Sequence, residues 1–205
     1  MIKEILQFNN IGTPTYLVQL IHYANQTDHS KKELGDYFIN KVIDGRHVFD
    51  GGISFLILIG FFIVSKSHKV KINEAYLHFT QNENLLIEKI VRLFLLELSQ
   101  DDFFKKLFNK STMFYEKNGG LIISNAAFKF KYAAIKQFLL DFKVITTHPY
   151  INKKYVIMDD YKNYFNDVRI EKKIEKRILT LEELKKLQNI NNSYGKDAEK
   201  FVVNY

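Results

Sequence analysis

Residues 148–153 separate two short apolar stretches and predict a turn, and lysine and tyrosine residues lie in or beside it. Side chains at such a turn point to solvent, so Lys153 and Lys154 would contact phosphates, and Tyr150 would stack on a base or lie in a groove. A helix predicted before this turn would add the lysines of the same face: Lys129, Lys131 and Lys136. Such contacts give affinity with little sequence preference. The alternative is that these lysines only keep the protein soluble.

The positive charge of the chain is concentrated around this turn. Residues 103–154 hold ten lysines against only Glu116 and Asp141, a net charge of +8, whereas the whole chain carries +7. A basic block of this kind is typical of a nucleic-acid-binding face, provided that its lysines share one surface. Solvated lysines on separate amphipathic helices would give the same count.

No complete catalytic or metal site is evident from residue types and spacing. The six histidines lack ligand spacing, and the two Gly-Gly pairs lack the pattern of a phosphate-binding loop. The adjacent acidic pairs, Asp101-Asp102 and Asp159-Asp160, are better explained as helix starts. The chain has no cysteine, which excludes disulfides, thiolate zinc sites and a cysteine nucleophile. We therefore predict no cofactor within these residues and leave open whether a longer chain is an enzyme.

The absence of cysteine fits a reduced compartment, and the N-terminus lacks the pattern of a signal peptide. The longest apolar run, residues 53–64, is too short to span a bilayer. These features predict a cytoplasmic protein that does not insert into a membrane.

The first 80 residues predict three helices followed by a hairpin. A helix is expected over 13–25, with one apolar face of Tyr16, Leu17, Leu20 and Ile21. Ser30 and Glu33 predict a capping box that starts a second helix, which runs to about residue 43 and buries Leu34, Tyr37, Phe38 and Val42. A third helix is expected over 49–59, and strands over 61–65 and 69–72.

This order is that of a winged helix-turn-helix. Its third helix would normally enter the major groove, but residues 51–58 here are almost entirely apolar. We therefore expect this helix to be buried against the second half of the chain or against a partner chain.

The second half predicts a helix over 84–99 that buries Leu85, Ile87, Ile90, Val91, Phe94, Leu95 and Leu98. A hairpin of 113–115 and 121–124 follows, then a helix over 126–142 with Phe130, Ala134, Ile135, Phe138 and Leu139 inward and Lys136 and Gln137 exposed. A last hairpin joins 144–147 to 154–157. Residues 56–72 and 138–157 thus share the order of a helix followed by a hairpin, which suggests a tandem winged-helix arrangement.

The predicted fold class is therefore mainly α with small β-hairpins, an α+β protein. Three regions are expected: a winged-helix-like module over 1–80, a second and basic module over 81–165, and a helical linker with a further helix over 166–205. The last helix carries an apolar face but no closing cap, which suggests the start of a larger domain.

Residues 181–188 form a Leu/Glu/Lys-rich helix pattern, and residues 195–205 follow the pattern G-x-x-A-E-x-x-V-x-x-Y. This segment resembles the opening of the NO VEIN C-terminal domain family, whose members are regarded as restriction-endonuclease-like nucleases of bacterial defence and restriction proteins. The resemblance covers about 25 residues. It implies that Glu199 could contribute to a catalytic site, and that a divalent metal such as Mg²⁺ would be used if the domain were completed.

Two functions are consistent with these patterns. The first is a DNA-binding region of a bacterial anti-phage defence or restriction-type protein, which delivers a downstream nuclease domain to DNA through non-specific backbone contacts. The second is an assembly module without a nucleic-acid role, in which residues 49–59 would mediate dimerisation or partner binding.

Overall fold

Helices alternate with short antiparallel strands along the chain, which confirms the α+β class. The computed structural model describes residues 11–48, 51–100, 112–116, 120–128 and 132–165. They belong to one compact unit, Met1–Phe165. The predicted linker and final helix over 166–205 lie outside the described residues.

The first two helices begin at side-chain caps, and the sequence predicts the second of these caps. Helix α1 (Pro14–Gln26) starts at Thr13, whose hydroxyl accepts a hydrogen bond from the backbone N–H of Tyr16 at 3.2 Å. Its predicted inward face is buried. Strand β1 (His29–Ser30) leads into helix α2 (Lys31–Phe38), where Ser30 and Glu33 form the predicted capping box.

The second helix is shorter than predicted. Helix α2 ends at Phe38, and strands β2 (Val42–Ile43) and β3 (Arg46–His47) form a hairpin where the helix was expected to continue. Both turn residues have positive φ, 52° at Asp44 and 72° at Gly45, which is the backbone of a two-residue hairpin turn. The predictions that Tyr37 and Val42 are buried are wrong, because these side chains are 44% and 58% exposed.

The next elements form the first sheet and the long helix behind it. Helix α3 (Gly51–Leu58) is followed by strands β4 (Phe62–Val64) and β5 (Lys69–Ile72), and the sheet order is β1-β5-β4. A 3₁₀ helix (Glu74–Gln81) leads into α4 (Glu83–Ser99). Leu86, not the predicted Leu85, lies inward on α4, and Leu85 is 50% exposed.

The second half forms a four-stranded antiparallel sheet of order β6-β7-β9-β8. Its elements are β6 (Met113–Tyr115), β7 (Leu121–Ser124), a 3₁₀ turn (Asn125–Ala127), helix α5 (Ala133–Asp141), β8 (Ile145–Thr147), β9 (Lys154–Ile157) and a 3₁₀ turn (Asp159–Tyr161). Both predicted hairpins are confirmed. The predicted start of α5 at residue 126 is wrong, because residues 125–127 form a 3₁₀ turn instead.

The two halves repeat one backbone pattern. In the first half, β1 is followed by helices and the small β2-β3 hairpin and then by the β4-β5 hairpin, whose strand β5 pairs with β1. In the second half, β7 is followed by α5 and then by the β8-β9 hairpin, whose strand β9 pairs with β7. The strand orders are therefore β1-β5-β4 and β7-β9-β8. The pairing register places Ser30 opposite Lys69 and Ser124 opposite Lys154, so the two serine–lysine pairs correspond. The turn from helix to hairpin also recurs, with positive φ at Gly60 and at Lys143.

The two halves share an aromatic core. Phe55 of α3, Phe94 of α4 and Phe138 of α5 pack with ring centroids 4.5–5.3 Å apart, and all three side chains are buried. Helix α3 therefore packs on the second half of its own chain, one of the two alternatives that its apolar sequence predicted. Five of its residues are buried, and Ser54, Ile57 and Leu58 are half-buried, so α3 leaves little free surface for a partner.

A charged contact joins the same two halves at the surface. The Arg46 guanidinium donates to both carboxylate oxygens of Asp141, with the Nη2–Oδ1 bond at 3.1 Å. This hydrogen-bonded pairing raises the pKa of Arg46. Asp141 is one of the two acidic residues in the basic block, and its charge is thus matched by an arginine from the first half.

Candidate nucleic-acid interface

The loop between β8 and β9, residues 148–153, is held in place by His148. The backbone N–H of His148 donates to the carbonyl of Lys154 at 2.9 Å and closes the hairpin. The Nδ1 atom of the imidazole accepts from the backbone N–H of Tyr150 at 3.1 Å and of Ile151 at 2.9 Å. These bonds fix the backbone on both sides of the loop tip.

The other ring nitrogen of His148 is also engaged. Its Nε2 lies 2.9 Å from a carboxylate oxygen of Glu116, at the end of β6. Since Nδ1 accepts from two amides, we assign the proton to Nε2, which donates to Glu116. The imidazole is 6% exposed and has no free nitrogen, so His148 positions the loop and is not available as a metal ligand or proton carrier.

Tyr150 projects from the tip of this loop. Its side chain is 92% exposed, the highest value among the large hydrophobic residues of the described chain. The imidazole of His148 makes an edge contact with the ring at a centroid distance of 6.2 Å. Pro149 precedes the tyrosine and limits the backbone further. The prediction that Tyr150 points to solvent at a turn is thus confirmed.

Lys153 and Lys154 follow the loop on its return strand. Lys153 is exposed and has φ of 59°, and its carbonyl accepts from the backbone N–H of Asn125 at 2.8 Å. The Lys154 amine lies 4.6 Å from the centroid of the Phe114 ring, a cation–π contact. Neither lysine forms an ion pair with an acidic residue of the described segments.

The structure separates Lys136 from these two lysines. Its amine lies 5.9 Å from the centroid of the Tyr155 ring and 3.5 Å from the side-chain oxygen of Asn125. Successive residues of a strand point to opposite faces, so Lys154 and Tyr155 mark opposite sides of the sheet. Lys136 thus lies across the sheet from Lys154, and it is half-buried rather than exposed as predicted.

The remaining predicted residues, Lys129, Lys131 and Glu199, lie outside the described residues. Sequence reasoning does not single out His148 and Glu116 as a pair, because 32 positions separate them. From the sequence, Ser124 or Asn125 could cap the next helix, and the structure shows Ser124 capping the 3₁₀ turn. The side-chain oxygen of Asn125 instead accepts from the Tyr155 hydroxyl at 3.1 Å and anchors this end of the sheet.

The hairpin of β4 and β5, here called the first hairpin, corresponds to the second hairpin of β8 and β9, and its two strand lysines are paired with carboxylates. Lys69 pairs with Glu33 at 3.1 Å, and Lys71 pairs with Asp28 at 3.4 Å. Hydrogen bonds from Ser30, first from its backbone N–H, together with Lys69 lower the pKa of Glu33 from 4.5 to about 2. The two strand lysines of the first hairpin therefore have carboxylate partners, whereas Lys66 in its loop is exposed.

Within the described segments, no cluster of three or more His, Asp or Glu side chains is arranged to hold a metal ion. None of the described helices combines the length and the apolar character needed to cross a bilayer. Comparisons with protein-family models, curated proteins and solved structures found no match to this chain.

Proposed function

We propose that residues 1–165 form a DNA-binding module that contacts the duplex backbone through its second hairpin. The observation that carries this proposal is a difference between two corresponding hairpins in how their lysines are paired. Lys69 and Lys71 are paired with carboxylates, whereas Lys153 and Lys154 have no acidic partner among the described residues. Unpaired lysines beside a braced, exposed loop suit contacts to phosphate oxygens.

The repeated backbone supports an interpretation as two winged-helix-like units in tandem. In such a unit the hairpin is the wing, and the helix before it ordinarily reads bases. Helix α3 is mostly buried and carries no Arg, Lys, Asn or Gln side chain that could read base edges. Binding would therefore depend on the wing of the second unit and would show little sequence preference.

The C-terminal resemblance extends the proposal beyond the described residues. If residues 195–205 open a NO VEIN-type domain, the module would bring a downstream nuclease to DNA in a cytoplasmic bacterial defence or restriction-type protein. Glu199 and a divalent metal such as Mg²⁺ would then belong to that domain. The alternative function, assembly through residues 49–59, has less support because α3 is enclosed by the chain's own core.

A salt titration of DNA binding tests the proposal. The chain should bind a random-sequence duplex with micromolar or tighter affinity at about 50 mM salt, and log K should fall linearly with log salt. The double substitution Lys153→Glu and Lys154→Glu should reduce the steepness of that slope by roughly 2, because two phosphate contacts are removed.

Lys66→Glu provides a control, since Lys66 is an exposed lysine in the loop of the first hairpin. It should change the slope by less than the double substitution does. The absence of binding at low salt, or an unchanged slope in the double variant, would contradict the proposal.

A further inference from the structure

The two corresponding hairpins differ by an extension of the second loop. In the first hairpin the N–H of Ser65 donates to the carbonyl of Lys69 at 2.8 Å, and in the second the N–H of His148 donates to that of Lys154 at 2.9 Å. These bonds correspond, yet they enclose three residues in the first loop and five in the second. The second loop is therefore two residues longer on the same frame.

The extended loop presents an aromatic ring in a fixed position. Tyr150 lies within it and is 92% exposed. The bonds from its own amide and that of Ile151 to His148 hold the backbone. In contrast, the partly exposed ring of Tyr37 is stacked on Tyr23 at 3.8 Å. A ring held on a rigid loop loses little conformational entropy when it stacks on another surface.

We propose that Tyr150 stacks on the terminal base pair of a duplex end, so that the module prefers DNA ends over continuous duplex. This inference rests on the DNA-binding function proposed above. Bases inside a continuous duplex stack on one another, whereas the last base pair of an end leaves one face open. Lys153 and Lys154, close to Tyr150 in the chain and without acidic partners among the described residues, would contact the phosphates that flank that base pair.

The lysine charges and the Tyr150 ring together favour a DNA end over a protein surface as the partner. An apolar protein groove would accept the tyrosine but would gain nothing from Lys153 and Lys154, for which the described segments provide no carboxylate partner. A nucleic-acid end offers an aromatic face and phosphates within the reach of neighbouring side chains. Stacking of a base on an aromatic side chain changes affinity by roughly 5- to 100-fold.

The test compares two duplexes of the same sequence, one with open blunt ends and one closed at both ends by flexible linkers, by fluorescence anisotropy. The open duplex should bind at least about 5-fold more tightly. Tyr150→Ala should remove this preference, and Tyr150→Phe should retain it. Because no phosphate contact is lost, Tyr150→Ala should leave the salt slope unchanged. A 2-aminopurine in the terminal pair should report the stacking directly.

The outcomes separate this inference from the proposed function. Equal binding of open and closed duplexes, or an equal loss on both with Tyr150→Ala, overturns end stacking and leaves backbone binding in place. Tighter binding of a single strand than of the blunt duplex also overturns it, in favour of stacking on unpaired bases. No binding to any DNA at low salt overturns both. Since Tyr150 is exposed, an unchanged melting temperature and circular dichroism spectrum would show that its variants fold.

Discussion

The aromatic core shared by the two halves predicts that they unfold together. Phe138 of α5 lies 5.1 Å from Phe55, 4.5 Å from Phe94 and 4.0 Å from Phe142, measured between ring centroids. Its side chain is 1% exposed. Phe138→Ala therefore removes packing from both modules at once, although the substituted residue belongs only to the second.

The expected size of the effect follows from burial and packing. Removing a buried phenylalanine side chain forfeits about 1.5–3 kcal/mol of transfer free energy. The cavity and the lost aromatic contacts bring the total to about 3–5 kcal/mol. With a urea m-value of about 2 kcal/mol per molar, the unfolding midpoint should fall by roughly 2 M. Leu85→Ala on α4, where the side chain is half-exposed, should change stability by about 0.5 kcal/mol or less.

Urea unfolding followed by circular dichroism and by tyrosine fluorescence is a suitable assay, since the chain has twelve tyrosines and no tryptophan. Both probes should report one transition. Amide exchange should show that Phe138→Ala lowers protection in β5 and in β9 by similar free energies. Loss of protection in β9 alone would refute the reasoning, and it would instead support independent domains that meet near residue 80.

Two further predictions concern backbone strain and pH. Gly60 has φ of 71° and open space where a Cβ would lie, so Gly60→Ala should lower the free energy of unfolding by about 1 kcal/mol through the backbone alone. Lys143 lies at the corresponding position with φ of 55°, so Lys143→Gly should raise the free energy of unfolding or leave it unchanged. Thermal melts measure both, and a stabilising Gly60→Ala would contradict the strain argument. The pKa of Glu33 is about 2 in the folded protein against 4.5 ordinarily, so its contribution is fully present above pH 4.5 and is lost as the pH falls through 2. Between pH 4.5 and pH 2 the melting temperature of Glu33→Gln should therefore fall less steeply than that of the unsubstituted protein. If the two plots of melting temperature against pH are parallel, the Glu33 carboxylate does not cause the loss of stability in acid.

Caps and hairpins are the elements that the sequence predicts best, because they depend on local chemistry. The capping box of Ser30 and Glu33, the hairpin of β4 and β5, and the burial of α3 are all confirmed. The hairpin at Asp44 and Gly45 is not predicted, although Asp-Gly is a favoured two-residue turn. Apolar residues at helical spacing suggest that α2 continues, whereas β-branched residues beside the turn favour strand pairing.

The candidate site can be predicted only in part, since its arrangement depends on tertiary contacts. Lys153, Lys154 and Tyr150 are identifiable because a turn exposes its own side chains. The bracing of that turn by His148 and Glu116 requires knowledge that β6 and β8 belong to the same sheet. Likewise, helical spacing places Lys136 on an exposed face, but the contacts with Asn125 and Tyr155 partly bury it.

The correspondence between the halves shows how the two hairpins differ in the pairing of their strand lysines. Counting from the matched serines, the position of Glu33 is taken by Ala127 in the second half, and that of Asp28 by Ile122. Lys71, the partner of Asp28, is likewise replaced by Val156, which pairs with Ile122 across β7 and β9. The second half thus has an apolar pair where the first has an ion pair, and Lys154 occupies the position of Lys69 with Ala127 at the position of the carboxylate. The loop extension at Tyr150 lies on the same hairpin as Lys154, so the proposed stacking and phosphate contacts would come from one element.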